Sequence, residues 1–138
     1  KRTLIEDGYE DITSTLTYKS RYWINNLSGI IEEYPNYRAG YSDPKMAEIS
    51  VNEGEEYEIN GWYGTSWAAY GLYDSSGKCI TLGYGGDYVA ASIGAFYKHY
   101  VLRIPSGCKK LVVTNQYISY QKPERDFVVR RRSVTNGQ

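Results

Sequence analysis

The 138 residues carry 16 lysines and arginines against 16 aspartates and glutamates, a formal net charge of zero that gives no pull toward nucleic acid or an anionic membrane surface. No apolar run approaches the roughly 20 residues of a membrane-spanning helix, and two cysteines with one histidine and no Cys-x-x-Cys exclude the usual zinc spacings. The length suits one domain with one core, at about residues 12–130 and with linker or tail at 1–10 and 131–138, and 16 tyrosines and 3 tryptophans against 2 phenylalanines favour half-wet aromatic surfaces.

Lys1 to Gly8 reads as a linker or a lead-in strand in which Thr3, Leu4 and Ile5 pair at an edge. Starting at Lys1 without a charged-then-apolar leader, the chain is expected to be a mature product or an excised domain. From Asp11 to Lys19, Ile12, Ser14, Leu16 and Tyr18 alternate with Thr13, Thr15 and Thr17, the period of a strand. Tyr22-Trp23-Ile24 and Gly29-Ile30-Ile31 bracket the turn formers Asn25-Asn26-Leu27-Ser28, and the second arm continues through Glu32 and Glu33, so a hairpin is expected. Tyr37 to Tyr41 reads as extended, with Ser42-Asp43-Pro44 as punctuation because the residue before a proline is pushed out of the helical region.

Glu48-Ile49-Ser50-Val51 leads into Asn52-Glu53-Gly54-Glu55, after which Tyr57, Ile59 and Gly61 alternate with Glu56, Glu58 and Asn60. This is the cleanest hairpin pattern in the chain, and Glu53, Glu55, Glu56 and Glu58 read as its solvated face. The run from Asn60 to Gly86 sets Trp62 and Trp67 around a Gly-Thr-Ser turn, carries Ala68 to Tyr73 into the turn Asp74-Ser75-Ser76-Gly77, and returns through Cys79, Ile80, Thr81 and Leu82. It is expected at the centre of an antiparallel sheet with aromatic loops at one end. Cys79 and Cys108 fit either one disulfide of an exported protein or two small buried apolar residues.

The long glycine-bearing stretch from Gly83 to Tyr97 ranks as a ligand wall, with Tyr88 to Ala95 a helical turn or another strand. Tyr100 to Ile104 is a strand turned by Pro105-Ser106-Gly107, and Lys109 to Asn115 another, with Leu111 and Val113 opposite Val112 and Thr114. Phe127-Val128-Val129 closes the fold, and Arg130, Arg131 and Arg132 read as a solvated tail. About ten short strands with turn signals roughly every 8–12 residues are the pattern of an all-β sandwich or barrel.

The residues favour binding over catalysis. The carboxylates lie in clustered runs or in turns such as Asp43 and Asp74, away from a glycosidase-like pair. His99 has no Gly-x-Ser-x-Gly elbow or nucleophilic cysteine to serve, and Gly83-Tyr84-Gly85-Gly86 lacks the Lys-Ser/Thr and the helix of a phosphate cradle. What remains is aromatic. A pyranose presents a patch of C–H groups on which an indole or phenol ring stacks, while nearby amides and carboxylates bond the sugar's rim. Trp62, Tyr63 and Trp67 flank one turn, Tyr84, Asp87, Tyr88 and Tyr97 line the long loop, and Gln116, Tyr117 and Tyr120 follow a strand expected to return to the same end. Trp23, Tyr57, Tyr70, Tyr73 and Tyr100 are expected in packing.

The series Glu48-Ile49-Ser50-Val51, then Gly54, Tyr57, Ile59 and Gly61, then Leu72-Tyr73-Asp74 with Gly77, then Ile104-Pro105-Ser106-Gly107 and Leu111-x-Val113, preceded by Tyr22-Trp23-Ile24 and Gly29, resembles a known group of modules. These are the small β-sandwich modules attached to bacterial glycan-degrading enzymes and found in phage tail and baseplate proteins. The resemblance implies an all-β, antiparallel β-sandwich of jelly-roll or galactose-binding-like type, non-catalytic and without a cofactor beyond the structural calcium some members hold. It implies a carbohydrate-binding module, secreted or at a cell surface, that tethers an attached enzyme or surface protein of a larger multidomain chain to a polysaccharide or cell-surface glycan. The alternative is a structural or host-receptor-binding domain of a phage tail, in the virion, with tyrosine-rich faces buried between copies.

Overall fold

A computed structural model of the chain describes residues 8–33, 42–64, 67–83, 89–92, 95–118 and 127–132; the expected lead-in at Lys1 to Asp7 and the extended Tyr37 to Tyr41 lie outside them. Twelve strands and one 3₁₀ turn stand among the described residues: β1 (Glu10–Asp11), the turn (Thr13–Thr15), β2 (Lys19–Ser20), β3 (Tyr22–Ile24), β4 (Ile31–Glu33), β5 (Ser42–Ser50), β6 (Glu56–Gly64), β7 (Tyr70–Asp74), β8 (Cys79–Gly83), β9 (Val89–Ser92), β10 (Ala95–Arg103), β11 (Cys108–Ile118) and β12 (Val128–Arg132). Every pairing among them is antiparallel. One five-stranded sheet runs β1-β12-β6-β10-β9, a second runs β2-β5-β11-β7-β8, and β3-β4 is a separate hairpin.

The two large sheets share one core. Tyr57, Ile59, Tyr100 and Val129 of the first sheet meet Ala47, Ile49, Leu72, Leu111 and Val113 of the second in a single buried cluster. A smaller cluster on the other side of the second sheet joins Met46, Tyr73 and Val112 to Ile24 and Ala68, with Tyr22 and Ile31 packed against it, so the β3–β4 hairpin forms a third layer. Strand β11 is therefore covered on both faces, and its run Leu111-Val112-Val113-Thr114 is buried throughout.

The local hairpins form as expected. Tyr22, Trp23 and Ile24 pair with Glu33, Glu32 and Ile31, and Asn25 Oδ1 shapes the turn by accepting from the Leu27 and Ser28 N–H groups at 2.8 and 3.1 Å. β7 and β8 close around Asp74, whose Oδ1 accepts from Ser76 N–H, Ser76 Oγ and Lys78 N–H. Those three bonds, the Ser76 hydroxyl foremost, hold the Asp74 carboxyl below its ordinary range. Tyr88 to Ala95, open between helix and strand in the sequence, contains β9.

Three expectations are corrected. The strand expected over Asp11 to Lys19 is interrupted by the 3₁₀ turn, because Asp11 Oδ1 takes the Thr13 N–H at 2.9 Å and Thr15 Oγ1 donates to the Ile12 carbonyl at 2.7 Å, local bonds that compete with a ladder. Pro44 does not punctuate but lies within β5. The Val51 N–H donates to the Lys109 carbonyl at 3.1 Å, so by the two-residue period Ile49, Ala47 and Lys45 also bond β11, and Pro44 falls between them. β2 ends opposite Lys45, leaving an edge at Pro44 where a missing N–H costs nothing.

β5 and β6 are not the expected hairpin. They belong to different sheets, and Val51 to Glu55 crosses between the layers, tied by Ile104 N–H to the Glu55 carbonyl and Gly54 N–H to the Ile104 carbonyl. Both strands turn apolar residues to the same core from opposite sides, which alternation alone does not distinguish from a hairpin.

Candidate functional site

The Val51–Glu55 crossing puts the end of β5 and the start of β6 at one pole of the two-sheet body. Antiparallel pairing then carries the opposite ends to the far pole: Gly64 of β6 against Ala95 of β10, and Ser42 of β5 against Ile118 of β11. Five of the sequence-predicted site residues reach that far pole on strand ends rather than in loops. Trp62 pairs with Tyr97, and Tyr63 with Phe96; Tyr97 also pairs with Val89 of β9. On the second sheet Gln116 stands opposite Pro44, and Tyr117 opposite Asp43. Tyr84, Asp87, Tyr88 and Tyr120 lie outside the described residues.

Trp67 does not belong to an exposed rim. It is 6% exposed, stacked on Trp23 at 6.1 Å between ring centroids and 23° between planes. A β-bridge from Asn25 to Trp67 and a bond from Ala68 N–H to the Ile24 carbonyl fasten it between the β3–β4 hairpin and β7. The rings meet because β3 docks alongside the residues leading into β7, and burial of two indoles outweighs any sugar contact for this one. Trp23 Nε1 and Asn25 Nδ2 both donate to Glu32 Oε2, at 3.4 and 3.2 Å, while Trp67 Nε1 has no partner among the described residues.

The acids and the basic run, expected as a solvated face and a solvated tail, meet on the first sheet. Arg130 Nη1 lies 2.8 Å from Glu58 Oε1, His99 Nε2 2.8 Å from Glu58 Oε2, and Arg103 Nη1 3.0 Å from Glu56 Oε2, with Arg132 also paired to Glu56. The Tyr9 ring lies under Arg130 and Arg132. All three arginines of the supposed tail are strand residues of β12.

Both cysteines are free thiols, Cys108 buried and Cys79 partly so, and burial raises both above the ordinary thiol value, which disfavours the nucleophilic thiolate. Burial also raises the Tyr57 and Tyr73 phenols, so they serve as neutral donors, Tyr57 to Glu55 Oε1 at 3.2 Å and Tyr73 to the Gly29 carbonyl at 2.8 Å. Among the described residues no three His, Cys, Asp or Glu side chains gather into a metal-binding group.

A feature the sequence did not suggest is a cleft of about 460 Å³ along one side of the body, lined by Glu10, Ile12, Thr15, Leu16, Thr17, Glu48, Ile49, Ser50 and Arg131. Its walls come from β1 and β12 of the first sheet, β5 of the second, and the segment running between them. No short window of sequence contains these residues together, so no local signal marks the cleft. No protein-family model, curated protein or solved structure matches the chain.

Proposed function

We propose that the chain is a non-catalytic carbohydrate-binding module, secreted or displayed at a cell surface, which tethers a larger parent protein to an uncharged polysaccharide. The observation that carries this reading is the convergence of Trp62, Tyr63, Tyr97 and Tyr117, with Gln116 among them, on one pole of the fold. Backbone held in paired strand ends costs little to order on binding, and indole, phenol and amide are the side-chain types that suit a sugar's C–H face and hydroxyl rim. The zero net charge fits a neutral polymer. The winding supports the same reading: the chain passes from β1 to β5 in the other sheet, back to β6, over to β7 and β8, back to β10, over to β11 and back to β12, which we take as a jelly roll, a frame common in lectins.

Native-gel retardation on neutral polysaccharides tests it. Trp62→Ala and Tyr97→Ala are each expected to weaken retention on the polymer the parent binds by about 1–3 kcal/mol, by analogy with bases stacked on aromatic rings, with the thermal midpoint held. Undiminished retention of both variants removes this pole from the ligand site.

A further inference from the structure

We propose that the cleft between the sheet edges is a second saccharide site, separate from the pole that meets the neutral polymer, and that it takes a sugar bearing a carboxylate. The choice of a saccharide rests on the glycan-binding reading; the cleft itself rests on its own geometry.

The cleft stays open because two short strands stop early. β2 pairs with β5 only at Met46 and Lys45, and β1 pairs with β12 only at Arg131 and Arg130. Beyond Met46, the ladder period turns the backbone N–H and C=O of Glu48 and Ser50 away from β11, to a side with no strand partner among the described residues. The floor is apolar: Ile12 and Ile49 are buried in the main core, and Leu16 packs against it. Thr17 adds a hydroxyl that both donates and accepts, and the Thr15 hydroxyl, its proton held by the Ile12 carbonyl, can accept. The volume lies within the range of small-ligand sites, which pair an apolar lining with a few convergent polar groups.

Charge narrows the ligand. Arg131 stands opposite Tyr57 across the β6–β12 ladder, and its guanidinium reaches Glu10 Oε1 only at 3.5 Å, so some of its five N–H donors remain for a ligand. Glu48 is balanced by Lys110 at 3.5 Å. A doubly charged phosphate would meet both Glu10 and Glu48. A single carboxylate would replace the loose Glu10 contact on Arg131, while neighbouring hydroxyls donate to Glu10, Glu48 and the free carbonyls of β5. One negative charge, several hydroxyls and a C–H face to lay on Ile12, Leu16 and Ile49 describe a hexuronate. An amino acid carries the carboxylate but lacks the hydroxyls.

The test is titration of the full ¹⁵N-labelled chain with methyl galacturonoside, methyl galactoside and alanine, read at the backbone amides. Galacturonoside is expected to shift Thr15, Thr17 and Ser50 saturably, with galactoside and alanine at least tenfold weaker. Arg131→Gln should weaken the galacturonoside at least tenfold. Because Arg131 also stands opposite the buried Tyr57, Thr17→Tyr provides the second variant: it adds a ring at an exposed lining position and should abolish the shifts at Thr15 and Ser50 while the remaining spectrum persists. Equal response to galactoside, displacement of the galacturonoside by alanine, or unchanged binding by Thr17→Tyr would overturn the proposal. Retention on neutral polysaccharide is read separately on the parent protein. Its loss with the cleft titration intact sinks the pole as a glycan site and leaves the cleft, whereas retention without any cleft shift sinks the cleft alone.

Discussion

Trp67 carries two opposed contributions in one side chain. Its ring is packed on Trp23, which favours the fold, while its Nε1–H finds no acceptor among the described residues, a deficit of about 1–3 kcal/mol for a buried donor. Trp67→Ala removes the ring and leaves a cavity beside Trp23, so a loss of about 3–5 kcal/mol is expected. Trp67→Phe keeps most of the ring and deletes the orphaned donor, and should cost less than half as much. Urea midpoints of the three proteins rank them; equal losses in both variants would mean that the indole N–H is satisfied in solution. The sequence offered no way to see this residue as buried. Trp67 stands beside the same turn formers as a displayed ring would, and what decides its fate is Trp23, brought against it from far upstream.

At the level of single elements, what lay within a short stretch was legible and what depended on a distant partner was not. The arms and turn of β3–β4 lie within one window, as do those of β7–β8, and both form as the turn chemistry implies. Alternation in β5 and β6 correctly told which residues face inward, yet gave no information on which strand each pairs with. The β3–β4 hairpin is seated on β8 where Gly29 meets Cys79. Gly29 has φ +74°, and an added Cβ would lie 2.5 Å from Cys79 Sγ. Gly29→Ala therefore strains twice, by about 1–2 kcal/mol for the left-handed backbone and further through that contact. The hairpin should lift from β8, so Cys79 is expected to react faster with iodoacetamide while Cys108, 1% exposed, keeps its rate. An unchanged Cys79 rate together with an unchanged thermal midpoint would show that the hairpin absorbs the methyl group in place.

For the whole molecule, the decisive step is closure of the first sheet, in which β12 inserts between β1 and β6 and joins the two ends of the described chain. Two forces act there. Val129 is fully buried in the core shared by both sheets, and Arg130 and Arg132 lie across Glu58 and Glu56 on the sheet's other face. The arginine run resembled a tail because a block of like charge normally extends into water, and its carboxylate partners sit far back in the chain on β6. Magnitudes decide between the two contributions. Truncating Val129 to Ala deletes two buried methyl groups, about 1.6 kcal/mol of transfer at about 0.8 each, with a cavity cost added. Part-exposed ion pairs contribute about 1 kcal/mol or less, and salt screens them. Val129→Ala is therefore expected to lower the urea midpoint more than Arg130→Gln, and by the same amount at 0.05 M and about 0.5 M salt, whereas the Arg130→Gln loss shrinks at the higher concentration. If Arg130→Gln lost as much as Val129→Ala at both salt concentrations, the charged lattice, and not the shared core, would be what closes the fold.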